Sequence, residues 1–316
     1  MVADLLLFAA SLSVLLAAAR FFTVSAERIG LSLGMSPFAV GVLIVSAGTS
    51  LPELVSSVIA VTRGTSEIVV GNVLGSNLSN LMLVMGVVAV AAPRQVRLGE
   101  QYILIDLHFL LGSAFLLALS LKDGMITRPE AAFLLAGYAV YLLYLMKEGR
   151  TEADVTVGLD GAARASRTFP WRDAGILLGT GVLIYLGARF VVGSLESIAG
   201  RLGIAPSIIA VTVLSVGTTL PEMVVSATAA RAGKADVAVG NILGSCVFNS
   251  LVVAGVASMV GRVTAPDDLL TLPLPVFGVG ALLFYLLTLD KRVSRWEGFL
   301  FMLAYGLFIM EIARLV

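Results

Sequence analysis

Ten apolar stretches, each closed by charges or prolines, dominate this chain, near 3–23, 37–61, 68–92, 103–121, 130–146, 174–194, 205–229, 237–260, 270–288 and 298–314. A helix of about 20 apolar residues matches the thickness of a bilayer's hydrocarbon core. Within lipid the backbone must satisfy its own hydrogen bonds, so each stretch is predicted to be a membrane-spanning helix. Composition agrees: 58% of the 316 residues are hydrophobic and only 13% are charged, whereas a soluble domain carries about 25% charged residues. The predicted fold is therefore an all-α integral membrane protein with ten transmembrane helices. The formal charge of +0 and the lack of a long basic tract argue against nucleic-acid binding. The single Cys246 excludes an intrachain disulfide and a multi-cysteine metal cluster. Asp4 stands at the head of the first stretch, where a cleavable leader wants positive charge, so that stretch is read as a span.

The chain also repeats itself. L-G-M-S-P, S-A-G-T-S-L-P-E-L-V-S-S and V-G-N-V-L-G-S-N-L-S-N return as L-G-I-A-P, S-V-G-T-T-L-P-E-M-V-V-S and V-G-N-I-L-G-S-C-V-F-N at a constant offset of 169 residues. Between 34–86 and 203–255, 22 of 53 positions are identical without a gap. The same register pairs Arg20 with Arg189 and Glu27 with Glu196. Each half carries five spans, an odd number, so the second copy must enter the membrane from the opposite side. Two inverted five-helix repeats, 1–146 and 174–316, are expected, joined by a flexible linker loop at 147–173. This is an arrangement common among secondary transporters.

Glu53 and Glu222 lie inside spans, in G-T-S-L-P-E and G-T-T-L-P-E. A carboxylate at that depth is costly unless it meets a cation, a proton or a partner. Pro52 and Pro221 remove the helical hydrogen bonds to the carbonyls of Gly48 and Gly217. Those oxygens, with the neighbouring carbonyls of Thr49 and Thr218 and the hydroxyls of Ser50 and Thr219, become candidate ligands. The next spans supply Asn72, Ser76 and Asn80, each four residues apart and hence one polar stripe on a helix. Asn241, Ser245 and Asn249 repeat it. Gly71 with Gly75, and Gly240 with Gly244, form small-residue faces that permit close helix approach. All donors are oxygen, which favours a hard cation. Two carboxylates balance one divalent or two monovalent ions, so Ca²⁺ and Na⁺ would compete for the same oxygens. These residues point to a cation antiporter, not an enzyme, with no cofactor. A channel with a carboxylate ring and an intramembrane hydrolase are the other classes considered. Two glutamates per chain and the inverted repeat disfavour the first, and the lack of a nucleophile-and-base constellation disfavours the second.

At these motifs the chain resembles the calcium/cation antiporter superfamily, and most closely its prokaryotic-type sodium/calcium exchanger branch. The resemblance spans nearly the whole chain. It implies exchange of sodium for calcium by alternating access, with Glu53 and Glu222 as shared ligands and Thr49 and Thr218 giving backbone carbonyls to Ca²⁺. It further implies that Ser46, Ser50 and Ser76 line an inner Na⁺ site and Ser215, Thr219 and Ser245 an outer one. By the same analogy the first and sixth spans slide as a gate. Asn80 and Asn249 end the polar stripes. Potassium-dependent relatives carry Asp at the second of these positions, so Asn249 disfavours K⁺ co-transport. The proton-coupled branch adds a glutamate after its Gly-Asn pair that is absent here. H⁺/Ca²⁺ exchange through the same glutamates is the alternative.

With alternating sides, one set of loops holds 13 of the Lys and Arg residues and the other 6. The richer set is expected to be cytoplasmic. That places the 147–173 loop inside and both termini outside, in a multi-pass cell-membrane protein functional as a monomer. His108, close to Asp106, is read as interfacial. Asp4 and Glu311 are expected to reach headgroups or water, Arg20 and Arg189 to snorkel, and Cys246 to be an inert packed thiol.

Overall fold

A computed structural model describes residues 2–64, 66–97, 107–157, 170–201, 217 and 219–315. Helix α1 (Val2–Ser32) is followed by α2 (Pro37–Val40), a π-helical turn (Gly41–Val45), α3 (Ser46–Thr49) and α4 (Leu51–Thr62). Helix α5 (Glu67–Leu78) continues through a second π turn (Ser79–Val84) into α6 (Met85–Ala91), then β1 (Val96–Arg97). Next come α7 (Leu107–Ser120), β2 (Met125–Ile126), α8 (Arg128–Val157) and α9 (Trp171–Arg201). The remainder is α10 (Leu220–Arg231), then α11 (Ala235–Phe248), a third π turn (Asn249–Val253) and α12 (Ala254–Val260). It closes with β3 (Val263–Thr264), α13 (Asp267–Thr271), α14 (Pro273–Leu287), β4 (Arg292–Val293) and α15 (Arg295–Leu315).

Among the described residues, six helices are long and apolar enough to cross a bilayer, and α2–α4, bent by 41° at Ser50, makes a seventh. Ten were expected. Of the other three, α7 is apolar but short within the described residues. Helix α8 opens on Arg128 and Glu130, which lower the mean hydropathy of its spanning part. The stretch near 205–229 falls largely outside the described residues. Both ends of the expected linker at 147–173 carry helix, and 158–169 lie outside the described residues. Helix α8 runs on to Val157 and α9 begins at Trp171. Glu148, Arg150, Glu152 and Ala153 are good helix formers and extend the helix past the apolar stretch.

Burial sorts the spans into a centre and a rim. The windows within Glu67–Ala91 and Ala235–Val260 are 78% and 83% buried, against 22–28% for the spans of α1, α9, α14 and α15. The two central spans are those with the Gly-Asn-x-Leu-Gly-Ser motifs. Helix α11 crosses α2 and its π turn at backbone contact. An added Cβ would lie 2.4 Å from Val237 O at Gly41 and 2.6 Å from Phe38 O at Gly240. That close approach is what small residues at membrane helix crossings allow.

Helices α1 and α9 form the most extensive helix–helix contact and are pinned near both ends. Arg201 Nε lies 3.3 Å from Asp4 Oδ2, and Ser197 Oγ donates to Asp4 Oδ1 at 3.0 Å. At the other end Arg28 Nη1 meets Asp173 Oδ1 at 3.2 Å. Asp4 therefore has protein partners rather than headgroups or water alone; they lie some 200 residues away in sequence, beyond any local reading. Glu311 pairs with Arg314, and Arg20 and Arg189 are exposed. Since Arg28 is mostly exposed, Asp173→Asn should cost no more than about 1 kcal/mol, read as a small Tm change in detergent.

The two short ladders join the halves to each other. β1 pairs with β4 and β2 with β3, both antiparallel. In β1·β4 the valines Val96 and Val293 face each other and are buried, while Arg97 and Arg292 face each other on the exposed side.

Candidate functional site

The site begins with two helix breaks. Pro52 and Pro221 each stand in the first turn of α4 and α10, where a missing N–H is tolerated. The preceding residues leave helical geometry in the same way: Ser50 has φ −91°, ψ 2° and Thr219 φ −92°, ψ 7°. This lies in the bridge region, where many active-site residues sit. Each break delivers a glutamate to the first turn of the following helix, and both Glu53 and Glu222 are fully enclosed, at 2% and 0% exposure.

Matched side-chain contacts hold each glutamate's backbone. Asn72 Nδ2 donates to Ser57 Oγ at 3.2 Å and to Glu53 O at 3.5 Å. Asn241 Nδ2 donates to Ser226 Oγ at 2.8 Å and to Glu222 O at 3.5 Å. The two asparagines nearest the Gly faces thus tie α5 to α4 and α11 to α10.

Other polar contacts cross between the halves. Ser50 Oγ bonds both Glu222 Oε1 and Ser245 Oγ, each at 3.0 Å. Thr49 Oγ1 donates to Asn241 Oδ1 at 3.2 Å, Ser79 Oγ and Thr219 Oγ1 are 2.6 Å apart, and Asn77 Nδ2 donates to Ser250 Oγ at 2.8 Å. Ser46 turns its hydroxyl back to Val42 O.

A set of buried polar atoms is left without any hydrogen-bond partner. It comprises both carboxyl oxygens of Glu53, Glu222 Oε2, Ser76 Oγ, Asn77 Oδ1, and the side-chain amides of Asn80 and Asn249. An enclosed polar atom without a partner costs about 1–3 kcal/mol, and more if charged. These nine atoms belong to only six residues. Their concentration here fits oxygens arranged for a hard cation. No group of three or more His, Cys, Asp or Glu that could hold a metal occurs among the described residues, so the charge at this centre is that of two carboxylates.

Asn80 and Asn249 lie in the second and third π turns, and Ser46 directly follows the first. π turns are rare and occur frequently at functional sites. Between α1, α9 and the helix breaks is a cavity of only about 10 Å³, lined by Phe22, Thr49, Pro52, Ile184, Tyr185 and Pro221 among others. It has room for about one water.

Of the residues singled out in sequence, Glu53, Glu222, Thr49, Ser46, Ser50, Ser76, Asn80, Thr219, Ser245 and Asn249 are all buried. Ser215 and Thr218 lie outside the described residues, as does Asp106. Asn77, Ser79 and Ser250 were missed. The offset of 169 residues matches them to Cys246, Phe248 and Leu81, so a search for repeated polar residues passes over them. Cys246 is fully buried, with its thiol against Asn77 O at 3.8 Å, while His108 is exposed and packs edge-on to Tyr285. Ser50→Ala removes a hydrogen bond to a carboxylate, of the kind worth about 1.5–3 kcal/mol. It should weaken binding of a hard cation at this centre about tenfold or more, read by calorimetric titration of the purified protein, while leaving the fold intact.

These features define an all-helical membrane protein with a polar centre enclosed between its two most buried spans. The family model described as sodium/calcium exchanger protein matches residues 4–147 and 173–312. A putative antiporter, CaxA of Alkalimonas amylolytica, is 31% identical over 293 residues, covering 90% of each chain. The sodium/calcium exchanger MaX1 of Methanosarcina acetivorans is 28% identical over 92% of this chain and 93% of its own. A solved structure of the sodium-calcium exchanger NCX_Mj, soaked with Na⁺ and Sr²⁺, superposes with a TM-score of 0.82 at 25% identity, covering 97% of both chains. The chain belongs to the sodium/calcium exchanger family, and is a cation antiporter of the prokaryotic type.

Proposed function

We propose that this antiporter exchanges Na⁺ for Ca²⁺ by alternating access, with Glu53 and Glu222 as shared ligands at one central site. The observation that carries the reading is the cluster of enclosed, unpartnered polar atoms around the two glutamates. Two carboxylates with neutral oxygens suit one Ca²⁺, which accepts 6–8 irregular oxygen ligands, or two Na⁺. Names of relatives that include sodium and calcium support the same ions. Thr49 and Thr218 would give carbonyl oxygens to Ca²⁺. Ser46, Ser50 and Ser76 would line one flanking Na⁺ position and Ser215, Thr219 and Ser245 the other, with the side-chain oxygens of Asn80 and Asn249 as further ligands of the centre.

In the same reading the chain is two inverted five-helix repeats, 1–146 and 174–316. The matched helix breaks, the matched asparagine contacts and the exchanged strand pairing support this. The loop between the repeats is cytoplasmic and both termini are extracellular. Helices α1 and α9, joined near both ends by ion pairs, move together as the gate over the small cavity beside Phe22.

The test is calcium uptake by proteoliposomes loaded with Na⁺ and diluted into Na⁺-free buffer at clamped pH. Uptake that requires internal Na⁺ is expected. Uptake driven by a pH gradient without Na⁺ would assign the chain to proton coupling instead.

A further inference from the structure

The β1·β4 ladder sets two like charges opposite each other. Arg97 and Arg292 are direct partners across it, and both are exposed. Like charges placed directly opposite destabilise a strand pair, so the ladder carries an electrostatic cost that a bound anion would remove. Among the described residues neither arginine forms an ion pair, nor does Arg94. Of the neighbouring acids, Asp290 Oδ1 accepts the backbone N–H of Arg292 at 3.1 Å, and Glu297 Oε2 accepts that of Ser294 at 2.6 Å. Beside the ladder is an open cavity of about 470 Å³ lined by Arg94, Gln95, Arg97, Gly233, Ala235 and Asp236. A third acid, Asp236, thus stands on the cavity wall with Arg94 and Arg97.

The ladder's position narrows the choice of anion. Helix α15 starts three residues after Arg292, with Trp296 at 82% exposure. Phe299, Leu300, Leu303 and Leu307 follow as exposed apolar residues along a spanning helix. Tryptophan at the head of a lipid-facing stripe marks the interfacial level of a bilayer. The arginines therefore stand where lipid phosphates lie, above a face that acyl chains can cover.

We propose that Arg97 and Arg292, with Arg94 at the cavity rim, bind the phosphate of an anionic phospholipid headgroup. Basic pockets at this level are suited to such lipids. The site is separate from the ion centre, and its test needs no transport.

The full chain, delipidated in neutral detergent, is titrated with phosphatidylglycerol or phosphatidylcholine, and bound lipid is read by native mass spectrometry alongside Tm. Phosphatidylglycerol should bind the parent selectively. Its affinity should fall about fivefold for each arginine removed, roughly 25-fold in the double variant Arg97→Gln/Arg292→Gln. Without anionic lipid the single variant Arg97→Gln should be at least as heat-stable as the parent, because the repulsion is gone. That variant also carries the test should the double one misfold. Arg63→Gln/Arg128→Gln, exposed arginines elsewhere, should bind phosphatidylglycerol as the parent does. Equal affinity in the parent and the ladder variants, or an equal loss in the control, would overturn the proposal. So would stabilisation by millimolar inorganic phosphate equal to that by the lipid, which would indicate a soluble anion.

Discussion

Glu53→Gln and Glu222→Gln should each abolish calcium uptake while leaving the protein at least as heat-stable in ion-free buffer. The opposite signs follow from the hydrogen bonds. Neither carboxyl oxygen of Glu53 has a partner in the protein, so the amide forfeits no contact and removes a buried group of potential charge. In Glu222→Gln the amide oxygen can still accept from Ser50, the partner of Oε1. For a bound divalent cation the arithmetic reverses. Taking one carboxylate from a buried, charge-balanced site costs about 3–5 kcal/mol, more than about a hundredfold in affinity. Uptake by Na⁺-loaded proteoliposomes and Tm measured side by side check both signs. A variant that kept at least a tenth of parental uptake would remove its glutamate from the ion site.

The second large effect lies in the helix crossing that supports the site. At Gly240 an added Cβ would meet Phe38 O at 2.6 Å, Val42 N at 3.1 Å and Gly41 Cα at 3.3 Å, all backbone atoms. No rotamer change relieves that. Helix α11 would have to move off α2 and its π turn, the segment that leads into Ser46, Thr49 and Ser50, while α11 itself carries Asn241 and Ser245. Overpacking of a close-packed interior costs about 1–3 kcal/mol or more, and Gly240→Ala should lower Tm by roughly 5–10 °C and reduce uptake in parallel. Gly306→Ala, where the added atom meets nothing within 4 Å, is the control and should not lose stability. A Gly240→Ala protein with unchanged Tm would show that the crossing is looser than described.

Much of this was legible in sequence because symmetry marked it. The Pro-Glu pairs, the Gly faces and the polar stripes all occur twice at one offset, and the ten positions of the expected site that are described prove to be buried. Legibility failed where symmetry does. Asn77, Ser79 and Ser250 break the repeat, yet each makes a cross-half contact. The π turns that carry Asn80 and Asn249 do follow the repeat, but helical periodicity does not distinguish a π turn from the α-helix around it. The stripes also divide in a way that spacing does not show: Asn72 and Asn241 bond serines and the main-chain oxygens of Glu53 and Glu222 rather than their carboxyls. Helical spacing fixes a common face and not its partner. The extension of α8 past Met146 was hidden because a charged sequence reads equally as loop or as solvent-exposed helix.

The most direct test of a shared centre is equilibrium calcium binding to the purified protein by isothermal titration calorimetry, with Na⁺ as competitor. One Ca²⁺ per chain, displaced by Na⁺ and lost in Glu53→Gln and Glu222→Gln alike, is the expected result. Calcium binding that persists in either variant, or that Na⁺ does not weaken, would contradict a single site built on the two glutamates.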